Sequence, residues 1–199
     1  ELPILQKKIV NRCLHKRKPV IIATQMLETM IENPSPTRAE VNDVANAIYD
    51  GADAVMLSGE TAIGNYPIET VNIMSAITKS VEKDFDQSNF NRNIKFQKGG
   101  TINNRQSIAH AVFTLAKDMN INHIVIMTES GETAKQMASY RPDAIIYALC
   151  PNWNVCRELN LIWGIIPILV EEFNSTDQML DHSSIILKKL GFLKEEDVY

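Results

Sequence analysis

Short apolar runs and stretches of helical period alternate along this chain, and the alternation predicts its elements. Residues 2–17, LPILQKKIVNRCLHKR, place Leu5, Ile9, Cys13 and Leu14 near one face at helical spacing. Residues 18–25, KPVIIATQ, hold the run Val20, Ile21, Ile22 and read as a fully buried strand. A loop rich in Asn and Pro follows at 31–37, and Thr37 with Glu40 three residues on has the capping-box pattern. The helix it opens puts Val41, Val44, Ala45 and Ile48 on one face and stops at Gly51. Residues 52–59, ADAVMLSG, form a second apolar strand, and a third helix starts near Pro67.

Strand, helix and strand with about 30 residues between the strands predict a parallel pair joined by a right-handed crossover. The C-terminal ends of parallel strands emerge on the same side. One ends at Thr24-Gln25, the other at Ser58-Gly59-Glu60-Thr61. Two apolar runs thus end in hydroxyls at the edge where parallel α/β folds build their sites. The plain alternative is that Ser58 and Thr61 only cap the following helix.

Residues 85–104 change character. Asn, a Gly-Gly pair and other polar residues make this a linker between a first domain at 1–84 and a second at 105–199. From Arg105 the alternation returns. The helix at 105–120 turns Ile108, Val112, Leu115 and Ala116 inward. Strands at 123–128, 144–150 and 165–170 alternate with helices, the final one stopped by Gly191, and a further strand starts at Asp197. This is the pattern of a second parallel α/β domain.

Composition narrows the function. Among the 199 residues 45% are hydrophobic and 22% charged, enough for a sizeable core. The net charge is −4 without a basic run, which argues against nucleic acid as a partner. No apolar run approaches the roughly 20 residues of a membrane helix, and no secretory signal opens the chain. Cys13, Cys150 and Cys156 are odd in number and form no C-x-x-C, so buried, reduced thiols in a cytoplasmic protein are expected. The four scattered histidines argue against zinc. Trp153 and Trp163 read as core or interface residues. The chain opens on Glu1-Leu2-Pro3 inside a helical pattern and reads as a piece of something longer.

The segments TQMLE, PTRAE, DVANA and MLSGET, in that order, closely resemble the pyruvate kinase family. The resemblance continues more weakly through TESGETA and SYRPDA and so covers essentially the whole chain. It implies an α/β fold: the last two strand–helix units of a (β/α)8 TIM barrel, followed by a parallel-sheet α/β sandwich. It implies transfer of a phosphoryl group from phosphoenolpyruvate to ADP in glycolysis, with Mg2+ and K+. The catalytic lysine and the metal ligands are expected upstream, so the 199-residue segment alone is expected to be inactive. The alternative is a non-catalytic regulatory and assembly module binding a phosphorylated effector.

By the same resemblance Thr24, with Gln25, lies beside the substrate phosphate, where a hydroxyl donates to a phosphate oxygen. Ser58 and Glu60 lie on the proton-delivery side, where the enolate gains its proton; Glu60 either carries that proton or orients Ser58 or a neighbouring Lys. Arg38 resembles the arginine that reaches across a subunit interface of a homotetramer, or else is a surface charge at a helix start. Thr128, Ser130, Gly131 and Thr133, in TESGET, match the loop that holds the phosphate of a sugar-phosphate activator, against the simpler reading of Ser130 as a helix cap. Glu129 and Glu132 put two carboxylates there and predict reduced affinity for such an anion.

Overall fold

The computed structural model describes residues 2–84, 104–171 and 176–199. The chain divides into two compact units, residues 1–94 and 95–199. The expected linker lies outside the described residues except for Asn104, which already opens a helix.

The first unit runs α1 (Leu2–Lys16), β1 (Ile21–Ile22), a 3-10 turn (Glu28–Ile31), α2 (Arg38–Tyr49), β2 (Ala54–Val55), α3 (Gly59–Ala62) and α4 (Pro67–Lys83). β1 and β2 are parallel, with Ile21 opposite Ala54 and Ile22 opposite Val55. The ladder continues past the strands: Met56 N–H donates to the Ile22 carbonyl at 2.9 Å, and the Asp53 carboxylate accepts from Val20 N–H at 3.0 Å. Leu27, Met30, Val44, Met26 and Met74 form the core beside the pair.

Helical period located these helices and part of the face they bury, at Leu14, Val44 and Ile48, but not the rest. α1 buries Val10 and Leu14, while Leu5 and Ile9 are exposed. α2 buries Glu40, Val44, Ala47 and Ile48 in place of Val41 and Ala45. Glu40 belongs to that buried face, its carboxylate turned inward to a network of N–H and hydroxyl donors. β1 is shorter than expected and not fully buried, because Ile21 stands 43% exposed on a two-stranded sheet.

The capping box forms as expected. Thr37 Oγ1 accepts from Glu40 N–H at 3.3 Å, and Glu40 accepts from Thr37 N–H at 2.7 Å. Pro67 takes the first turn of α4.

The second unit runs α5 (Asn104–Asp118), β3 (His123–Met127), α6 (Glu132–Ala138), β4 (Ile145–Cys150), α7 (Trp153–Leu159), β5 (Ile165–Leu169) and α8 (Thr176–Lys189). Its sheet is parallel in the order β3-β4-β5. β4 is buried on both faces. Ile146, Ala148 and Cys150 point into a core with Ala109, Ala116, Met137 and Leu159; Tyr147 and Leu149 point to Leu187 and Leu193. Helices therefore cover both sides, the sandwich expected of strands with continuous apolar runs. Pro167 sits in β5, an edge strand among the described residues, opposite Ala148.

Three expectations fail in this unit. α5 buries Ala109 and Ala116 with Val112 and Phe113 against them, while Ile108 and Leu115 are exposed; small alanines let the helix approach the sheet. No strand forms at 197–199; the Asp197 carboxylate instead accepts from Lys194 N–H at 2.6 Å. Cys150 and Cys156 are paired as a disulfide, because the end of β4 and the first turns of α7 bring their Cα atoms to 6.5 Å. In the first unit Cys13 stays free and is only half-buried. Of the two settings expected for the tryptophans, Trp153 does not take the core one: it is 54% exposed and lies under the Arg157 guanidinium at 5.0 Å, while Trp163 is partly buried under Arg141 at 5.0 Å.

Glu40 yields a test. Burial pushes its carboxyl up, but bonds from Thr29 and Thr37 outweigh burial and hold it below its ordinary 4.5. A carboxyl lowered on folding adds stability above its unfolded pKa and loses it as pH falls through the folded value. Glu40→Gln is expected to destabilise α2 by about 1–2 kcal/mol near neutral pH. The loss should shrink on acidification below about pH 4. Amide hydrogen exchange across α2 at several pH values measures both.

Candidate functional site

The two strand ends at which site residues are expected have distinct backbone geometry. After β1 the chain turns sharply: Thr24 has φ +70° and Gln25 φ +54°, both in the left-handed region. Two consecutive non-glycine residues there carry a cost, and Thr is β-branched, which raises it. Both side chains are exposed. Thr24 Oγ1 donates to the Ala23 carbonyl at 2.6 Å.

Ser58 follows β2 and is also exposed. It stands at the N-cap position of α3, but its hydroxyl makes no cap hydrogen bond. Thr61 donates to the Ser58 carbonyl at 3.4 Å, a local bond inside the turn. The parallel register of β1 and β2 sends the Thr24 and Ser58 turns out of the same edge.

Glu60 joins those turns. It is only 3% exposed. Its Oε1 accepts from Leu27 N–H at 3.3 Å and its Oε2 from Ser58 N–H at 2.7 Å. Burial pushes the carboxyl up, yet backbone N–H groups of Glu60, Ser58, Leu27 and Met26 overcome this and hold it below 4.5. The side chain faces inward while Thr24 and Ser58 face solvent.

A second carboxylate holds the same turn farther along. Glu40 Oε1 accepts from Thr29 N–H at 2.7 Å, and Oε2 accepts from Thr29 Oγ1 at 2.5 Å and Thr37 Oγ1 at 2.8 Å. The capping-box pattern pointed to the Thr37 bonds, but nothing in the residue order pointed to Thr29. The loop after α3 is stitched to the turn as well, Asn65 N–H donating to the Ile31 carbonyl at 2.8 Å. Gly64 allows this approach, since a Cβ there would come within 2.4 Å of the Glu60 carbonyl oxygen.

Arg38 opens α2 and is exposed. A cation at a helix N-terminus opposes the helix dipole, so its position is not explained by helix stability.

In the second unit the loop 128–133 links β3 to α6. Gly131, with φ +78°, is the N-cap, displacing the expected Ser130. Thr128 is buried, and its hydroxyl accepts from Gly131 N–H at 2.9 Å. A Cβ at Gly131 would meet Val155 at 3.1 Å and Leu159 at 3.3 Å. Ser130 and Glu129 are exposed, and Thr133 is half-buried. Glu132 lies 3.7 Å from Lys135, which also reaches Glu158 at 3.3 Å, so part of the loop's negative charge is neutralised.

Among the described residues no three His, Cys, Asp or Glu side chains gather as metal ligands. No helix among them is long and apolar enough to cross a membrane.

Comparison with known proteins matches both units. The model described as "Pyruvate kinase, barrel domain" matches residues 1–71, and "Pyruvate kinase, alpha/beta domain" matches 106–199. A pyruvate kinase of Lactobacillus delbrueckii subsp. bulgaricus is 41% identical over 197 residues, 99% of this chain and 33% of that protein. One from Clostridium acetobutylicum is 40% identical over 198 residues, 99% of this chain and 41% of that protein. A crystal structure of a pyruvate kinase from Cryptosporidium parvum superposes with a TM-score of 0.90 at 34% identity, covering 98% of this chain and 39% of that one. The chain thus spans between 33% and 41% of the length of these relatives. With its first unit matching the barrel domain and its second the alpha/beta domain, the chain belongs, as a portion, to the pyruvate kinase family.

Proposed function

We propose that this chain supplies one wall of the substrate site of a glycolytic pyruvate kinase. The parent enzyme moves the phosphoryl group of phosphoenolpyruvate to ADP, giving pyruvate and ATP. The observation that carries the reading is the left-handed Thr24–Gln25 pair, exposed at the end of β1 beside the turn that opens at Ser58. Strain held at a strand end signals a site when the surrounding structure maintains it.

On this reading Thr24 gives up its bond to the Ala23 carbonyl and donates to an oxygen of the phosphoryl group, with Gln25 beside it. The donor counters charge that builds as the group leaves the enol oxygen for ADP. The enolate then takes a proton on carbon. Ser58, exposed and not engaged as a helix cap, supports a role in passing that proton through water.

The family's Mg2+ and K+ polarise and neutralise the transferring phosphate. The described residues do not fit a magnesium site, since no ligand group gathers and Glu60 spends both oxygens on peptide N–H groups. On this reading both ions are held elsewhere in the parent protein. That protein works in the cytoplasm as a homotetramer, with Arg38 bracing a neighbour's site; its exposed place against the helix dipole favours such a role.

We read the loop 128–133 as a phosphate-holding turn of reduced affinity. Thr128 shapes it from inside, Ser130 and Thr133 offer hydroxyls, and Glu129 repels an anion.

Three outcomes test these readings. In the full-length enzyme Thr24→Ala should lower kcat by about 10²-fold and change KM for phosphoenolpyruvate far less. Steady-state kinetics decide it, and an unchanged kcat removes the threonine from the chemistry. Glu129→Lys should tighten binding of a sugar bisphosphate about tenfold by calorimetry. The isolated 199-residue chain should give no turnover in a coupled assay with phosphoenolpyruvate, ADP and magnesium.

A further inference from the structure

We propose that Glu60 is a positioning residue, a clamp that fixes the Thr24–Gln25 turn against the Ser58 turn by accepting hydrogen bonds from Leu27 N–H and Ser58 N–H at once. The inference rests on the proposed substrate site, and it separates Glu60 from the proton path. A proton donor must present an oxygen to the reacting carbon or to a water beside it. Glu60 is 3% exposed, and each oxygen already meets a peptide N–H, at 3.3 Å and 2.7 Å. The residues on either side of the proposed substrate, Thr24 and Ser58, are the exposed ones.

The clamp has a task in this fold. β1 and β2 share only two ladder positions, so the sheet itself does little to hold the turns beyond it. The β1 turn also holds two left-handed residues, which relax unless over-determined. Glu60 fixes the turn at Leu27, three residues past Thr24. Glu40 fixes it again at Thr29. Charge-assisted bonds from peptide N–H groups suit this role, because they are directional and, at the buried Glu60, shielded from water.

The chemistry of the side chain defines the test. Glutamine offers one acceptor oxygen and turns an NH2 toward the second peptide N–H, so one bond is lost and two donors face each other. Aspartate keeps the carboxylate, and with it any acid–base capacity, but is one methylene too short to span both amides.

The full-length enzyme carries two measurements. Hydrogen exchange followed by mass spectrometry reads the clamp without reference to activity. Peptides covering 23–31 should exchange at least about tenfold faster in Glu60→Gln and in Glu60→Asp than in the parent. Unchanged exchange in both overturns the clamp. Kinetics read the role. Both variants should lose about 10- to 100-fold in kcat, the scale of a misplaced reacting group, with the pH dependence of kcat unmoved. A Glu60→Asp enzyme of normal kcat beside a crippled Glu60→Gln one, or loss of a limb of the pH profile, makes Glu60 the proton carrier and overturns the proposal. If Glu60→Gln does not fold, Glu60→Asp alone decides between the outcomes. A parent enzyme that never turns over phosphoenolpyruvate sinks the substrate assignment, while the exchange result still decides the clamp.

Discussion

A peptide N–H that leaves a strand must find an acceptor, and in the first unit that need is met by carboxylates. Glu60 and Glu40 accept from Leu27, Ser58, Thr29 and Thr37, and the turn between β1 and α2 has its shape because of them. A buried carboxylate is costly unless several donors meet it. Both side chains have such donors, and both stay readily ionised despite burial. The strained Thr24–Gln25 backbone depends on this arrangement, as does the common edge from which the Thr24 and Ser58 turns emerge.

The second unit solves the same accounting differently. Its three strands pair along most of their length, helices cover both faces, and the loop after β3 is closed by a hydroxyl instead of a carboxylate. Thr128 is therefore a structural group first. Ser130 and Thr133 stand nearer the surface. Charge around this loop is mixed, since Lys135 stands between Glu132 and Glu158.

Much of this was legible in the order of residues. Thr37 and Glu40 spelled their capping box, Pro67 marked the start of α4, and apolar runs located β3, β4 and β5. What was not legible follows from what residue type leaves out. Helical period allows neighbouring stripes, and the choice between Ile108 and Ala109 is made by how closely a sheet lies against the helix. The left-handed turn at Thr24 is invisible in a β-branched residue that normally avoids it. The partners of Glu60 are peptide groups, which every residue carries and no letter announces. The pairing of Cys150 with Cys156 depends on where a strand ends and a helix begins, and six positions of spacing did not reveal it.

Pro167 has a consequence beyond its own strand. Lacking an N–H, it leaves a gap in the row of donors along the outer side of β5. A stray chain could not zip onto that rim without an unmet carbonyl at the gap. Among the described residues one imino acid thus guards this margin of the sheet against unwanted growth, while the bonds to β4 are made by the residues that alternate with it between Gly164 and Val170.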